Sequence, residues 1–332
     1  MSPQNFKFKE CLFYEKLPGK KVRCKLCPRE CYIQNNSTGF CRVRKNLDGK
    51  LYSLVYSRPC TLSIDPIEKK PLFHFLPGTS CLSIATCGCN LACTFCQNYE
   101  ISQGEIFGEF RSPEEIVDLA KKYKVKTIAY TYTEPTIFYE YSLDIMKLAK
   151  KEGLKNVWVS NGYINKEPIK KIMPYLDAIN VDVKGPEKLY SSLCYSSLKP
   201  VLEALLEFRK VWIEITSLII PTYNDSKKWV SYLSNWIKNN LGEDTPLHLS
   251  RFYPSYKLRN LEPTKISVLK ELYKEAKKKL NYVYIGNVFD SKYESTYCPR
   301  CGELIVRREG YNVNFKGYKC KKCNTEIPGV FS

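Results

Sequence analysis

Residues 81–98 read CLSIATCGCNLACTFCQN: an apolar run, CLSIA, followed by a loop carrying Cys87, Cys89, Cys93 and Cys96. The apolar run has the length and composition of a buried strand. The CxxxCxxC spacing of Cys89, Cys93 and Cys96 lets one loop place three thiolates on three corners of a four-iron four-sulfur cube, leaving the fourth iron open. Cys87 lies only two residues upstream with a glycine between, awkward geometry for a further corner, and reads as packing or support.

Outward from this stretch, short β-branched and aromatic runs alternate with amphipathic segments. CLSIA (81–85), VKTIAYTYT (125–133), NVWVS (156–160), AINVDV (178–183), VWIEITSLII (211–220), PLHLSRF (246–252) and NYVYIGNV (281–288) read as seven strands. Ser112, Pro113 and Glu115 form a capping box leading into Ile116, Leu119, Ala120 and Tyr123. Asp225 reads as a cap before the helix carrying Trp229, Leu233, Trp236 and Ile237. Such alternation predicts an α/β fold with a parallel sheet. A doubly wound sheet and a barrel both fit it, and the polar residues favour the barrel. The cysteine loop follows the first strand, Glu134 the second and Asn161 the third. Asp182 and Lys184 follow the fourth, Thr216 lies in the fifth, and Arg251 ends the sixth. Parallel barrels build their sites at the carboxyl ends of their strands.

Two further cysteine sets flank this core. Cys298, Cys301, Cys320 and Cys323 form two CxxC knuckles, the spacing of a closed tetrahedral site. Zinc is favoured there over a rubredoxin-like iron. Cys24, Cys27, Cys31 and Cys41 are spaced to hold zinc or a second iron–sulfur cluster, and spacing does not choose between them. The expected divisions are a cysteine-rich module over 1–75, the barrel over 76–290 and a zinc-ribbon-like module over 291–332. DGK at 48–50 marks a hairpin in the first.

The chain has 332 residues, 44% hydrophobic and 26% charged, enough for a large core. The opening segment lacks an export signal, and no apolar run reaches the roughly 20 residues needed to span a bilayer. A cytoplasmic protein with no membrane partner is expected. Sixteen cysteines without an export signal point to metal binding before disulfides. The net charge of +18 comes largely from lysine runs such as 121–126 and 274–279. These read as solvated helix faces, with nucleic acid as the less favoured alternative. With only His74 and His248, no histidine metal triad or HExxH site can be built, and neither a P-loop nor a GxGxxG after a strand occurs.

CPREC (27–31) with GFCRVR (39–44), SRPCTLSIDPIEKKPLFHFLPG (57–78), the cysteine loop, YTYTEPTIFYEY (130–141), SNGY (160–163), INVDVKG (179–185), LSRFYPSYK (249–257), CPRCG (298–302) and IPGVF (327–331) together span nearly the whole chain. In these stretches the chain resembles the radical S-adenosylmethionine (SAM) superfamily. Within it the chain is most similar to the AmmeMemoRadiSam-system enzymes, relatives of the pyruvate formate-lyase activating enzymes. The resemblance implies a partial parallel barrel with a 4Fe-4S cluster on Cys89, Cys93 and Cys96, its open iron chelated by SAM. A low-potential electron donor would drive cleavage of SAM to methionine and a 5′-deoxyadenosyl radical, which takes hydrogen from a small-molecule or protein substrate. Phe95 carries over as an aromatic wall near the adenine, and Glu134, Asn161 and Asp182 as cofactor contacts. Lys184 and Arg251 are expected to meet the cofactor carboxylate, its ribose or a substrate anion. The superfamily's glycine-glycine-glutamate turn is here Thr131-Tyr132-Thr133-Glu134, keeping the carboxylate without the glycines. The resemblance also implies association with Memo-type and AMMECR1-type proteins. Two other readings stand beside this one: an activating enzyme that installs a glycyl radical on a partner protein, and a non-enzymatic iron–sulfur electron carrier or nucleic-acid-binding metalloprotein.

Overall fold

All seven expected strands form, and their order in the sheet decides the architecture. The structure, a computed structural model, describes residues 8–332; the first seven residues of the segment read as lacking an export signal lie outside it. The sheet contains β1 (Thr61–Pro66), β2 (Ser80–Ala85), β3 (Thr127–Tyr130), β4 (Lys155–Ser160), β5 (Ala178–Asp182), β6 (Trp212–Ile219), β7 (Leu247–Arg251) and β8 (Val283–Gly286). Each strand lies beside its neighbour in sequence. From β2 to β8 every pairing is parallel. A doubly wound sheet would reverse direction at a switch point. Unbroken sequential order is that of a barrel, and because β8 does not pair with β1 the barrel is partial.

The edge strand β1 pairs antiparallel with β2 and comes from within the segment 1–75, so the sheet begins before residue 76.

Helices cover the outside of the sheet. Pro113–Lys122 starts with the expected capping box: Ser112 Oγ accepts from Glu115 N at 3.3 Å, and Glu115 Oε2 accepts from Ser112 N at 2.6 Å. It buries Ile116, Val117 and Ala120, whereas Tyr123 is exposed, so the apolar stripe is rotated toward Val117. Lys227–Leu241 is capped by Ser226, whose Oγ accepts from Trp229 N at 3.2 Å. Asp225, the expected cap, instead accepts from Thr222 N in the preceding turn. The lysine runs lie mostly on solvated faces, where Lys121 pairs with Glu152 and Lys278 with Glu275.

The N-terminal residues form two three-stranded sheets. Their hairpin between Arg44–Leu47 and Lys50–Ser53 turns at Asp48 and Gly49, with φ of 55° and 79°, the positive pair of a type I′ turn. This module is bolted to the barrel by a buried ion pair. Arg44 donates to both oxygens of Glu140, at 2.9 and 3.1 Å, and to Leu12 O at 2.8 Å. Planar two-point contact of this kind fixes orientation.

The C-terminal sheet, Thr296–Tyr297, Leu304–Glu309 and Asn312–Phe315, docks beneath the barrel. Arg308, fully buried, donates to Phe73 O, Glu294 O and Thr296 Oγ1. Phe75 bridges Val330, and His74 is held between Pro328 O and Tyr284 Oη, both at 2.7 Å. Glu214 completes this floor, accepting from Phe73 N, His74 N and His248 Nε2. Among the described residues, no helix is long and apolar enough to cross a membrane.

Candidate active site

The cysteine loop leaves β2 at the carboxyl edge of the sheet. Gly88 makes the turn at φ +100°, and a Cβ there would stand 2.6 Å from Val43 Cγ1 and 2.9 Å from Cys41 O. Only glycine fits this close approach of the N-terminal module. Cys87 points away from the loop's other sulfurs, with Sγ 3.5 Å from both N and O of Phe107. A hydrogen bond with Cys60 pulls its thiol down to about 7.

Backbone contacts fix the rest of the loop. Thr94 N donates to Leu193 O at 2.9 Å, Lys257 N to Thr94 O at 2.9 Å, and Gln103 Nε2 to Leu91 O at 3.0 Å. The sulfurs meet polar neighbours. Cys89 Sγ accepts from Leu91 N at 3.4 Å and lies 3.7 Å from Asn161 Nδ2, and Cys96 Sγ lies 3.3 Å from Ser102 Oγ. Burial holds the Cys89 and Cys96 thiols above the ordinary cysteine range. At Cys93 a hydrogen bond with Cys194, then burial, does the same. A bound metal centre would favour their ionised form.

The sulfur spacing differs between the cysteine sets. Four thiolates on one zinc stand about 3.8 Å apart, the edge of a tetrahedron with 2.3 Å bonds. Cys298, Cys301, Cys320 and Cys323 meet that condition, with all four sulfurs within 4.8 Å of one another and two pairs at 3.5 Å. They fit one tetrahedral ion. The sulfurs of Cys89, Cys93 and Cys96 do not converge this way, which suits three corners of a larger core with metal and sulfide between them. Cys24, Cys27, Cys31 and Cys41 line a common cavity without converging either. All sixteen cysteines are free thiols.

The residues expected around the cluster fall into three groups. Glu134, Asn161 and Cys89 come together. Glu134 Oε1 accepts from Thr136 N, Thr136 Oγ1 and Ser160 Oγ at 2.6–3.0 Å, and Oε2 accepts from Asn161 N at 2.8 Å. Oε1 is saturated by these three donors, whereas Oε2 retains capacity for another. Burial pushes this carboxyl up, against the pull of its donors. Asn161 Nδ2 also donates to Asn90 Oδ1 at 2.9 Å.

Lys184, Asp182 and Phe95 form the second group. Lys184 Nζ donates to Asp182 Oδ2 at 3.1 Å and stands 6.0 Å from the centre of the buried Phe95 ring. Burial alone would lower the Lys184 ammonium, but Asp182 and the Cys93 and Cys194 sulfurs hold it well above its ordinary value. Arg251 stands apart from both groups, donating to Thr264 O at 2.8 Å and Tyr253 Oη at 3.0 Å. Thr216 Oγ1, in β6, is buried without a hydrogen-bond partner.

Cys194 and Tyr132 were not distinguished by sequence. Cys194 ends a π-helical turn, Tyr190–Cys194, beside Cys93, and no spacing rule links residues a hundred apart. Tyr132 takes φ +63° where the wider superfamily places glycine. Its hydroxyl donates to Asp65 and its carbonyl accepts from Asn98 Nδ2 at 2.7 Å, contacts that hold the left-handed turn.

Residues 83–231 match the family model of the radical SAM superfamily. An uncharacterized protein of Methanocaldococcus jannaschii is 44% identical over 96% of this chain and 98% of its own length. The pyruvate formate-lyase-activating enzyme of Clostridium pasteurianum is 26% identical over 58% of this chain and 88% of its own. A radical SAM methyltransferase from Sphaerobacter thermophilus shares the fold, with a TM-score of 0.50 and 15% identity, over 69% of this chain and 71% of that one. With the family match running from within β2 into the first turn of the helix after β6, and a cysteine loop at the rim of a partial parallel barrel, this chain belongs to the radical SAM superfamily.

Proposed function

We propose that the protein reductively cleaves S-adenosylmethionine at a 4Fe-4S cluster held by Cys89, Cys93 and Cys96 and uses the product to take hydrogen from a substrate. When bound, the cluster and SAM supply one-electron cleavage of the sulfonium, giving methionine and a 5′-deoxyadenosyl radical. The residues of the chain position and tune that chemistry. Leu91 N and Asn161 Nδ2 direct hydrogen at the Cys89 sulfur, and Ser102 does so at Cys96, which makes reduction easier. Glu134 Oε2 accepts from the cofactor's amino group, Lys184 meets an anionic group, and Phe95 walls the adenine side. Arg251 orients a carboxylate or ribose from the far rim.

The observation that carries this reading is the loop itself. Three sulfurs too far apart for one ion each meet a polar neighbour at the carboxyl rim of a sequentially ordered parallel sheet. Anaerobic reconstitution with iron and sulfide, followed by measurement of 5′-deoxyadenosine from SAM under reductant, tests it. Wild type should release the nucleoside and the Cys89→Ala/Cys93→Ala/Cys96→Ala variant none. Release by the variant rejects the reading.

The similarity to the clostridial activating enzyme favours a second reading, in which the hydrogen comes from a glycine of a partner protein. A glycyl radical signal on an incubated partner would identify it. Functional association with Memo-type and AMMECR1-type proteins follows from the AmmeMemoRadiSam resemblance alone, and co-purification checks it.

A further inference from the structure

The N-terminal cysteines form a site of their own. Cys24, Cys27, Cys31 and Cys41 line one pocket together with Arg44 and Asn90. Cys31 Sγ accepts from Phe40 N at 3.5 Å, and the backbone at Leu26, Arg29 and Val43, each two residues downstream, favours the ionised form of Cys24, Cys27 and Cys41. Cys89 with Leu91 N repeats the downstream relation in the central loop. Four cysteines around one space, each beside backbone that favours its thiolate, form a ligand set in their chemistry.

The spacing of the sulfurs identifies the kind of centre. No three of these four lie within 4.8 Å of one another, whereas the C-terminal four all do. A single zinc ion would pull them to about 3.8 Å. The same chain thus contains one set of sulfurs drawn together to the size of one ion and another spaced more widely.

Arg44 supplies a second observation. It is buried and lines this cavity, and its Nε has no hydrogen-bond partner although both terminal nitrogens are engaged. A buried unpaired cationic donor is costly unless something anionic accepts it. An iron–sulfur core with four thiolates is anionic and presents sulfide acceptors.

We propose that Cys24, Cys27, Cys31 and Cys41 ligate a second iron–sulfur cluster, coordinatively complete, and not a zinc ion. It neighbours the central loop, because Asn90 both lines the cavity and accepts from the Asn161 amide that faces Cys89. The proposal does not require the central loop to carry a cluster, and its test keeps the two apart.

Full-length protein is purified anaerobically, reconstituted with ferrous iron and sulfide, desalted, and assayed for iron, acid-labile sulfide and zinc. The Cys89→Ala/Cys93→Ala/Cys96→Ala variant should retain about four iron and four sulfide per chain. Adding Cys24→Ala and Cys31→Ala should remove them. Failure of the central reading alone would lower wild-type iron to the variant's level and leave the N-terminal count intact. A second zinc per wild-type chain in place of this iron overturns the proposal, as does a variant without iron. Should the multiple variants not fold, two measurements on folded protein decide. Wild type should hold about eight iron and one zinc, and Cys31→Ser should alter one of two reduced-cluster EPR signals while leaving the other unchanged. About four iron with two zinc, or Cys31→Ser leaving every signal unchanged, overturns it.

Discussion

Asn161 faces Cys89 across the rim, its amide nitrogen 3.7 Å from the sulfur and 2.9 Å from the Asn90 side chain. Removing that donor concentrates charge on the sulfur and makes the centre harder to reduce. Asn161→Leu should therefore keep its iron, shift the midpoint potential negative and slow deoxyadenosine release by roughly 10- to 100-fold. Potentiometric EPR and a nucleoside assay check both, and an unchanged potential would remove Asn161 from this role.

Lys184 is held between Asp182 and the Cys93 side of the loop. A charged hydrogen bond contributes about 1.5–3 kcal/mol. Lys184→Met should raise the KM for SAM about tenfold or more, with iron content unchanged. An unaltered KM would make the lysine a structural partner of Asp182 only.

The C-terminal knuckles predict separable metal loss. Cys301→Ser with Cys323→Ser should remove one equivalent of zinc, lower the melting temperature and leave the iron count untouched. Elemental analysis alongside a thermal melt measures this. Iron lost in parallel would show that the modules do not bind metal independently.

His74 gives a pH dependence of stability. Burial lowers its pKa from 6.5 to about 4, with Glu214 and Pro328 O opposing. Between those values the unfolded chain binds the extra proton, so the contribution is complete above about pH 6.5 and is lost as pH falls toward 4. Its size is on the order of 3 kcal/mol. Urea unfolding at pH 7.5 and pH 5 should show the loss, with a shallower slope in His74→Gln. Equal slopes would assign the acid sensitivity elsewhere.

The barrel was legible because each parallel strand is buried on both faces and reads as an apolar run, as VWIEITSLII does. The strand β1 was not, since TLSIDP mixes polar residues, ends in proline and sits at an edge where only one neighbour constrains it. The Ser226 cap was misread by one residue because Asp225 and Ser226 both suit the position, and only the Thr222 turn decides between them. Ligand spacing grouped the four C-terminal cysteines that the fold brings within 4.8 Å of one another. It could not show that Cys194 reaches Cys93, that Cys60 meets Cys87, or that one cysteine set collapses to ionic size while another stays open. Those relations depend on tertiary packing.

The plug built by His74, Glu214, Tyr284 and the Val330 bridge also governs traffic. With residues 327–331 packed against the underside, a ligand of the site would enter over the rim or through the unclosed seam between the edge strands.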